Sequence, residues 1–213
     1  MKRARDEESK AARRGAILKG AGELFELAPY EDLTMSSLAR HVGLAKGTLY
    51  LYFTSKEELF LEILSEQLVG WLERVHEVLR APDGPRDVEG GAGTLAAELG
   101  ARPTLLRLMG LQHPTLERGV GAKVSTRFRR RLRDALIPVG EALEGALPGL
   151  EVGAGFRALL WCQAAAVGVH QMANLPEPAV AATRALDLAM FRVDFVEELT
   201  SMLASTLRGA MAG

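Results

Sequence analysis

Apolar residues recur every three to four positions along most of the chain, which is the spacing of one buried face of an α-helix. No stretch alternates apolar and polar residues with the period of two that a half-buried strand would show. Proline and glycine interrupt the helical pattern repeatedly, for example at residues 81–85 and 148–149. The sequence therefore predicts an all-α protein. Beyond the first fifty residues the predicted helices cover about 55–80, 87–100, 103–112, 115–147, 153–174 and 179–209.

Residues 34–59 contain a second pattern, which is typical of a helix-turn-helix. Three apolar residues at helical spacing precede Gly43, and glycine readily adopts the positive φ that ends a helix and turns the chain. A second short helix is expected over 45–52, with Leu49 and Phe53 facing inward. A short helix presented after such a turn fits the major groove of DNA.

The starts of two neighbouring helices are also visible in the sequence. Thr34 is a favourable N-cap for the first helix of the pair. Ser55 and Glu58 have the Ser-x-x-Glu spacing of a capping box, which predicts that the long 55–80 helix begins there. The free amides of that helix and Lys56 could hold a phosphate.

Four side chains of the short second helix are left to point away from its core. A lysine, hydroxyls and phenols suit contacts to phosphates and base edges. The alternative is a compact three-helix cluster whose tyrosines only cover the surface. DNA binding is favoured because no acid occurs between Thr34 and Glu57, and because the tyrosines and the capping box coincide with this pattern. The outward residues are Lys46, Thr48, Tyr50 and Tyr52.

Charge supports this interpretation through its distribution rather than its total. The net charge is −1, but residues 1–19 hold seven basic and three acidic side chains, a local balance of +4. A locally basic surface on a nearly neutral protein is typical of a small DNA-binding domain. A flexible basic arm can contact the DNA backbone or minor groove. The alternative is a charged N-terminus without a partner.

Other chemistry is not indicated. The single cysteine, Cys162, allows neither an internal disulfide nor a cysteine metal cluster, and the four histidines are scattered. No phosphate-binding glycine loop and no nucleophile elbow occurs, so we expect no catalytic residue, no metal and no cofactor. Polar residues interrupt the uncharged stretch 158–176, which favours a buried helix over a membrane span. Without a signal peptide pattern, a cytoplasmic protein is expected.

The sequence around the second helix resembles the TetR family of bacterial transcription regulators. The resemblance covers about residues 10–64, and its most specific parts are 44–53 and 56–59, Leu-Ala-Lys-Gly-Thr-Leu-Tyr-Leu-Tyr-Phe and Lys-Glu-Glu-Leu. One departure is Ala45, where the family often has a hydroxyl residue, which costs one capping bond of about 1 kcal/mol. The resemblance implies DNA contacts from Thr34, Ala45, Lys46, Gly47, Thr48, Tyr50, Tyr52 and Lys56.

The resemblance also implies two domains. The first, 10–70, is a three-helix DNA-binding domain that shares the helix starting near residue 55, and the second, 71–213, is a larger helical domain for ligand binding and dimerisation. An aliphatic pocket for an apolar or anionic-headed effector fits the composition, although each candidate residue is also compatible with an ordinary core. The candidates are Trp71, Leu105, Met109, Gln112, His113, Phe128, Trp161, Gln163 and His170.

A dimer surface is expected on the last two helices. The 179–209 helix has two apolar stripes and would need two partners, one of them a second subunit. Small residues in the preceding helix permit close backbone approach. The alternative is a core within one chain. The expected interface residues are Ala164, Gly168, Leu186, Met190, Val193, Val196 and Leu203.

A basic cluster lies on the 115–147 helix, between Lys123 and Arg133. It is either solvated, or binds an anionic effector, or contacts the DNA-binding domain. Together these features predict a ligand-responsive homodimeric repressor that a small effector releases from a palindromic, double-stranded DNA operator. A transcriptional activator and a ligand-independent regulator remain as alternatives.

Overall fold

The computed structural model describes residues 2–211, except for the side chains of residues 2–6 and of Leu186. These residues form α-helices joined by turns and by short 3-10 and π segments, and no β-strand occurs among them. The predicted all-α class is confirmed. The chain divides into two compact units, and the helices α4 (Lys56–Arg80) and α7 (Ala122–Ala146) each contribute residues to both.

The first unit holds the described residues up to Gln67 together with Leu111–Arg129. It contains α1 (Lys2–Leu27), α2 (Met35–His41), α3 (Lys46–Tyr50) and the first turns of α4. Its second segment adds a π-helical turn, Gln112–Glu117, and the start of α7. Aromatic and aliphatic side chains from all of the N-terminal helices are almost fully buried at its centre, including Ile17, Phe25, Leu38, Leu49, Phe53 and Phe60.

The second unit holds Leu68–Gly110 and the described residues from Arg130 onward. It contains the rest of α4 and α7, with α5 (Val88–Gly100), α6 (Pro103–Leu111), α8 (Ala154–Ala173), α9 (Glu177–Ala182) and α10 (Phe195–Met211). Helix α10 packs mainly against α5 and α8. Helices α7 and α8 approach closely at a glycine pair, since a Cβ on Gly155 would lie 2.2 Å from the carbonyl oxygen of Gly140.

The predicted helix over 179–209 is wrong. The chain there forms α9, a 3-10 segment Leu186–Phe191, and α10, separated by extended residues at Ala185 and Arg192. Polar side chains stabilise the breaks: the Arg192 guanidinium donates to the Thr183 carbonyl oxygen, and the Asp194 carboxylate accepts from the Glu197 amide. The two apolar stripes therefore do not lie on one helix.

The other helices agree with the sequence within a few residues, except the one expected over 115–147. Its α-helical part, α7, begins only at Ala122, after the π-helical turn and the glycines at 119 and 121, and it continues through Pro138. The segment 111–129 belongs to the first unit, although it lies beyond the boundary near residue 70 that the sequence suggested. Those domain bounds stay a prediction.

Two further observations concern the second unit and the chain as a whole. Within residues 2–211, none of the helices combines the length and the apolar character that crossing a bilayer requires. Cys162 is fully buried in α8, and desolvation raises the pKa of its thiol to about 12. This thiol is protonated and poorly nucleophilic at neutral pH.

Candidate nucleic-acid interface

The turn between α2 and α3 forms as the sequence predicts. Gly43 adopts a φ of +69°, in the left-handed region that glycine occupies without strain. The Leu44 amide donates to the carbonyl oxygen of Ala39 at 2.8 Å, and the Gly43 amide donates to that of Arg40 at 3.2 Å. These bonds satisfy the last carbonyls of α2 and direct the chain into α3.

The two helices differ in how their first turns are capped. Thr34 caps α2: its hydroxyl accepts from the Ser37 amide at 3.0 Å, while the Ser37 hydroxyl accepts from the Thr34 amide at 2.9 Å. Ala45 is the N-cap of α3 and makes no side-chain bond. The predicted loss of one capping bond at Ala45 is confirmed.

The recognition segment, residues 45–52, separates buried from outward side chains. Leu49 is completely buried, as is Phe53 just beyond the segment. Lys46 and Tyr50 are exposed on the opposite side, one helical turn apart, with the Lys46 ammonium 6.0 Å from the centre of the Tyr50 ring. Thr48 and Tyr52 are half-exposed, and Gly47 is exposed.

Sequence reasoning missed one residue on this surface. Leu51 follows α3 and is 79% exposed, beside the exposed Tyr50 and one turn after Gly47. Its position between two tyrosines could have identified it, because an exposed aliphatic group there suits contact with a thymine methyl. The surface therefore combines a cation, a hydroxyl, phenols and an apolar group.

Lys56 makes contacts within its own unit, and its assignment as a phosphate anchor stays a prediction. Its ammonium donates to the carbonyl oxygens of Tyr30 and Leu33, both at 2.8 Å, and lies 3.9 Å from the centre of the Tyr30 ring. The Tyr30 hydroxyl in turn donates to Glu57 at 3.2 Å, and burial followed by the charge of Glu57 raises the pKa of Tyr30. Lys56 thus fixes the turn before α2 from within the unit.

The capping box at the start of α4 forms with one change. The Ser55 hydroxyl accepts from the Glu58 amide at 3.1 Å, as predicted. The Glu58 carboxylate, however, accepts from the amide and the hydroxyl of Thr54, at 2.9 and 2.7 Å, rather than from Ser55. Burial alone would raise the pKa of Glu58, but the bonds from Thr54 and Arg127 outweigh it and lower that pKa.

Arg14 supports the end of the recognition segment, a role that the sequence did not reveal. One of its guanidinium nitrogens donates to the Tyr52 carbonyl oxygen at 3.1 Å, and another lies 3.2 Å from a Glu62 oxygen. The guanidinium also stacks 4.2 Å from the centre of the Phe53 ring. Its partners are 38 to 48 residues away along the chain, so no local spacing indicates them.

The effector candidates do not all fall in one unit. Gln112 and Phe128 are buried in the first unit, where His113 is exposed. In the second unit, Gln163 and His170 are half-buried, Trp161 is exposed, and the core contains Trp71, Leu105 and Met109. Desolvation, followed by the charge of Arg107, lowers the pKa of His170. The assignment of an effector pocket to these residues stays a prediction.

Two features of the second unit bear on ligand binding. The indole nitrogen of the buried Trp71 has no hydrogen-bond partner in the described part of the chain. Separately, α4 and α7 line an open cavity of about 370 Å³ with apolar walls and charged groups at its edge. This cavity contains none of the nine candidates; it is lined by Val69, Glu73, His76, Arg131, Pro138 and Val139, among others.

The residues predicted to form the dimer interface differ in their exposure. Ala164, Gly168, Met190 and Val196 are exposed and Val193 is half-exposed, while the side chain of Leu186 lies outside the described part. Leu203 is only 2% exposed and packs in the core of its own unit, so it is not available to a partner. Sequence reasoning missed further apolar residues on the outward face of α8, namely Phe156, Leu160 and Met172.

A capped helix, a glycine turn and a short helix with an exposed cationic and phenolic surface define a helix-turn-helix DNA-binding regulator. The family model "Bacterial regulatory proteins, tetR family" matches residues 17–63, and "Tetracyclin repressor-like, C-terminal domain" matches residues 65–213. Since the second match alone spans more than half of the chain, the chain belongs to the TetR family of transcription regulators.

Individual related proteins match a shorter part of the chain than the two family models do. The chain is 31% identical over 64 residues to the fatty acid metabolism regulator protein of Bacillus subtilis, and 35% identical over 68 residues to the HTH-type transcriptional activator FasR of Mycolicibacterium smegmatis. The matches cover 30% and 32% of this chain, and only 33% and 31% of the two relatives. The chain thus matches about a third of the length of these relatives.

Solved structures show a common fold at low sequence identity. A TetR-family transcription regulator from Mesorhizobium loti superposes with a TM-score of 0.56 at 20% identity, covering 95% of this chain and 96% of the other. The fatty acid degradation regulator FadR from Bacillus halodurans gives 0.54 at 19% identity, covering 92% and 96%. The similarity extends over nearly the whole chain and concerns the fold alone.

Proposed function

We propose that this TetR-family regulator is a homodimeric repressor that binds a palindromic DNA operator and leaves it when a small effector binds. Its action in the cytoplasm is by binding rather than catalysis. The observation that carries the proposal is the recognition segment, in which buried Leu49 and Phe53 fix the backbone while Lys46 and Tyr50 extend outward. Such a helix places its side chains against base edges in the major groove.

The contribution of each proposed contact follows from its chemistry. Lys46 suits a phosphate or a guanine edge, and Thr48, Tyr50 and Tyr52 offer hydroxyls for phosphates or bases. Ala45 and Gly47, which lack bulky side chains, permit close approach of the backbone, and Thr34 offers a hydroxyl beside the start of α2. Lys56 acts through the protein instead, because its ammonium is held by two carbonyls.

Dimer formation is supported by the outward face of α8. Phe156, Leu160 and Met172 are exposed at helical spacing, with the small residues Ala164 and Gly168 between them. Contiguous exposed apolar surface of this kind marks a protein interface. A twofold dimer would place two α3 helices in successive major grooves, about 34–36 Å apart or a multiple of that distance.

Effector binding is supported by the second unit. The unpartnered indole N–H of Trp71 is costly to bury, by about 1–3 kcal/mol, and an acceptor atom of a ligand would satisfy it. The surrounding core is aliphatic, so we infer an apolar effector that carries a hydrogen-bond acceptor. Two proteins that this chain resembles are named as regulators of fatty acid metabolism or degradation, which agrees with that class of ligand.

The experiment has two stages. Selection from a random duplex library should yield a palindrome, and binding to it should weaken steeply with salt. In Tyr50→Ala, operator affinity should fall by about 2–6 kcal/mol for the two half-sites together, since each lost contact costs about 1–3 kcal/mol. Leu27→Ala, at an exposed residue at the end of α1, is the control and should bind as wild type.

Three results would change the proposal. Unchanged operator binding by a folded Tyr50→Ala dimer would remove Tyr50 from the interface. Recovery of no preferred sequence would favour an architectural DNA-binding protein. In a reporter carrying the selected operator, increased transcription would replace the repressor with an activator, and a screen of metabolites against the operator complex would separate ligand-responsive from ligand-independent regulation.

A further inference from the structure

Four charged side chains of the first unit form a continuous chain of ion pairs. Arg14 lies 3.2 Å from one carboxylate oxygen of Glu62, and Arg127 lies 3.7 Å from the same oxygen. Arg127 also donates to a Glu58 oxygen at 3.1 Å. Two arginines from distant parts of the sequence are thus joined through Glu62, and Arg127 also reaches Glu58, one turn earlier on α4.

The two ends of this series of ion pairs contact the turn between α3 and α4 at two different residues. Arg14 donates to the carbonyl oxygen of Tyr52, the last residue of the recognition segment. Glu58 accepts from the amide and the hydroxyl of Thr54, two residues later. The turn that connects α3 to α4 is therefore held at two points, Tyr52 and Thr54.

Among these four ion-paired residues, Arg127 is the one that lies outside the N-terminal helices. It lies in the first turns of α7, 69 residues after Glu58. The same segment approaches α4 closely at a second point, since a Cβ on Gly119 would lie 2.2 Å from the Cγ atom of Glu57. Two contacts therefore tie the segment 111–129 to the start of α4.

Burial makes the Arg127 contact effective. Glu58 is only 8% exposed, and its other carboxylate oxygen already accepts two hydrogen bonds from Thr54. An ion pair with a buried and hydrogen-bonded carboxylate is stronger than one between two exposed side chains. The Arg127 side chain itself is 54% exposed, so its substitution removes the pair without leaving a large cavity.

We propose that Arg127 is a positioning residue for DNA recognition, which orients α3 through Glu58 and Glu62 without contacting DNA. The proposal rests on the proposed DNA-binding function.

The test compares Arg127→Gln with Arg130→Gln in the full-length protein. Both variants remove one positive charge from the same helix, and Arg130 is exposed with no ion pair among the described residues. Operator and non-operator duplexes are titrated at several salt concentrations, and thermal unfolding is recorded for both variants. The operator is the palindrome selected by the wild-type protein.

Arg127→Gln should weaken operator binding by about tenfold or more, and Arg130→Gln by much less. Non-operator binding and the slope of log affinity against log salt should match those of the control, since no phosphate contact is lost. Arg127→Lys keeps the charge but replaces the planar guanidinium with an ammonium on a different stem, and should recover part of the affinity. In a Glu58→Gln background the effect of Arg127→Gln should shrink.

The contrary outcomes are equally definite. Equal operator affinity in Arg127→Gln and Arg130→Gln would refute the positioning role. A smaller salt slope in Arg127→Gln alone would show a direct phosphate contact instead, and an equal loss on both duplexes would show a nonspecific effect. If the wild-type protein selects no operator, the proposed function fails, which is distinct from failure of the Arg127 proposal. If Arg127→Gln does not fold, Arg127→Lys takes its place in the test and should show a partial loss of operator affinity. A folded Arg127→Lys with wild-type affinity and specificity would refute the proposal.

Discussion

The two units use different interactions to define their surfaces. In the first, polar bonds fix short helices: Thr34 caps α2, Lys56 holds the preceding turn, and Arg14 holds Tyr52. In the second, α10 packs against α5 and α8 through apolar side chains, and α7 meets α8 at Gly140 and Gly155. Directional bonds therefore specify the first unit around α3, whereas shape and apolar area specify the second unit.

Their exposed residues differ in the same way. The first unit exposes Lys46 and Tyr50, which suit a charged polymer with polar base edges, while the second exposes Leu160 and Met190, which suit an apolar partner. The difference predicts that charge substitutions act on DNA binding in one unit and on self-association in the other.

The largest effect is expected on the outward face of α8. Leu160→Arg should raise the dissociation constant of the proposed dimer by about a thousandfold, because burying unpaired like charges at a twofold interface costs about 4 kcal/mol or more. Sedimentation velocity measures it directly. Val152→Arg adds the same charge at a loop residue that is 96% exposed, and should leave the dimer intact. If Leu160→Arg dimerises as strongly as the wild-type protein, the interface does not include the outward face of α8.

A smaller effect is expected in the core of the second unit. Leu203→Ala should lower the free energy of unfolding by about 2–5 kcal/mol, since it leaves a cavity among side chains of α10 and its neighbours. Val152→Ala, at an exposed residue, should change it by less than about 0.5 kcal/mol. Urea unfolding at one protein concentration compares them, and a small loss in Leu203→Ala would contradict its placement in the core.

The smallest effects concern helix caps in the first unit, and they should have opposite signs. Thr34→Ala should destabilise by about 1 kcal/mol because two bonds between Thr34 and Ser37 depend on it. Ala45→Ser should stabilise by up to about 1 kcal/mol, because the first turn of α3 lacks a side-chain cap. Thermal unfolding measures both, and changes of the same sign would contradict this account.

Features that depend on neighbouring residues could be predicted from the sequence. Gly43, Thr34 and Ser55 each act within a few residues, and each has the predicted conformation or bond. The helices of the first unit follow from these local signals and from apolar spacing. The resemblance to the family was visible in this same segment, whereas the all-α class followed from apolar spacing along most of the chain.

Features that depend on distant residues could not be predicted. Lys56 was expected to face DNA, and nothing in its local sequence shows that two carbonyls lie within reach of its ammonium. The Arg14 and Arg127 contacts to α4 span tens of residues. Apolar spacing over 179–209 predicted one helix. The prediction failed because spacing carries no information about the side-chain hydrogen bonds of Arg192 and Asp194, which compete with the helix.

The division of α3 has a consequence for how such a protein can diverge. Leu49 inside and Tyr50 and Leu51 outside are consecutive residues, so fold stability and the proposed target preference reside in separate side chains of one short segment. After gene duplication, the outward positions are free to change without loss of the folded state. A new copy can therefore acquire a new set of target genes through a few substitutions that do not affect the stability of the fold, while the buried residues stay unchanged.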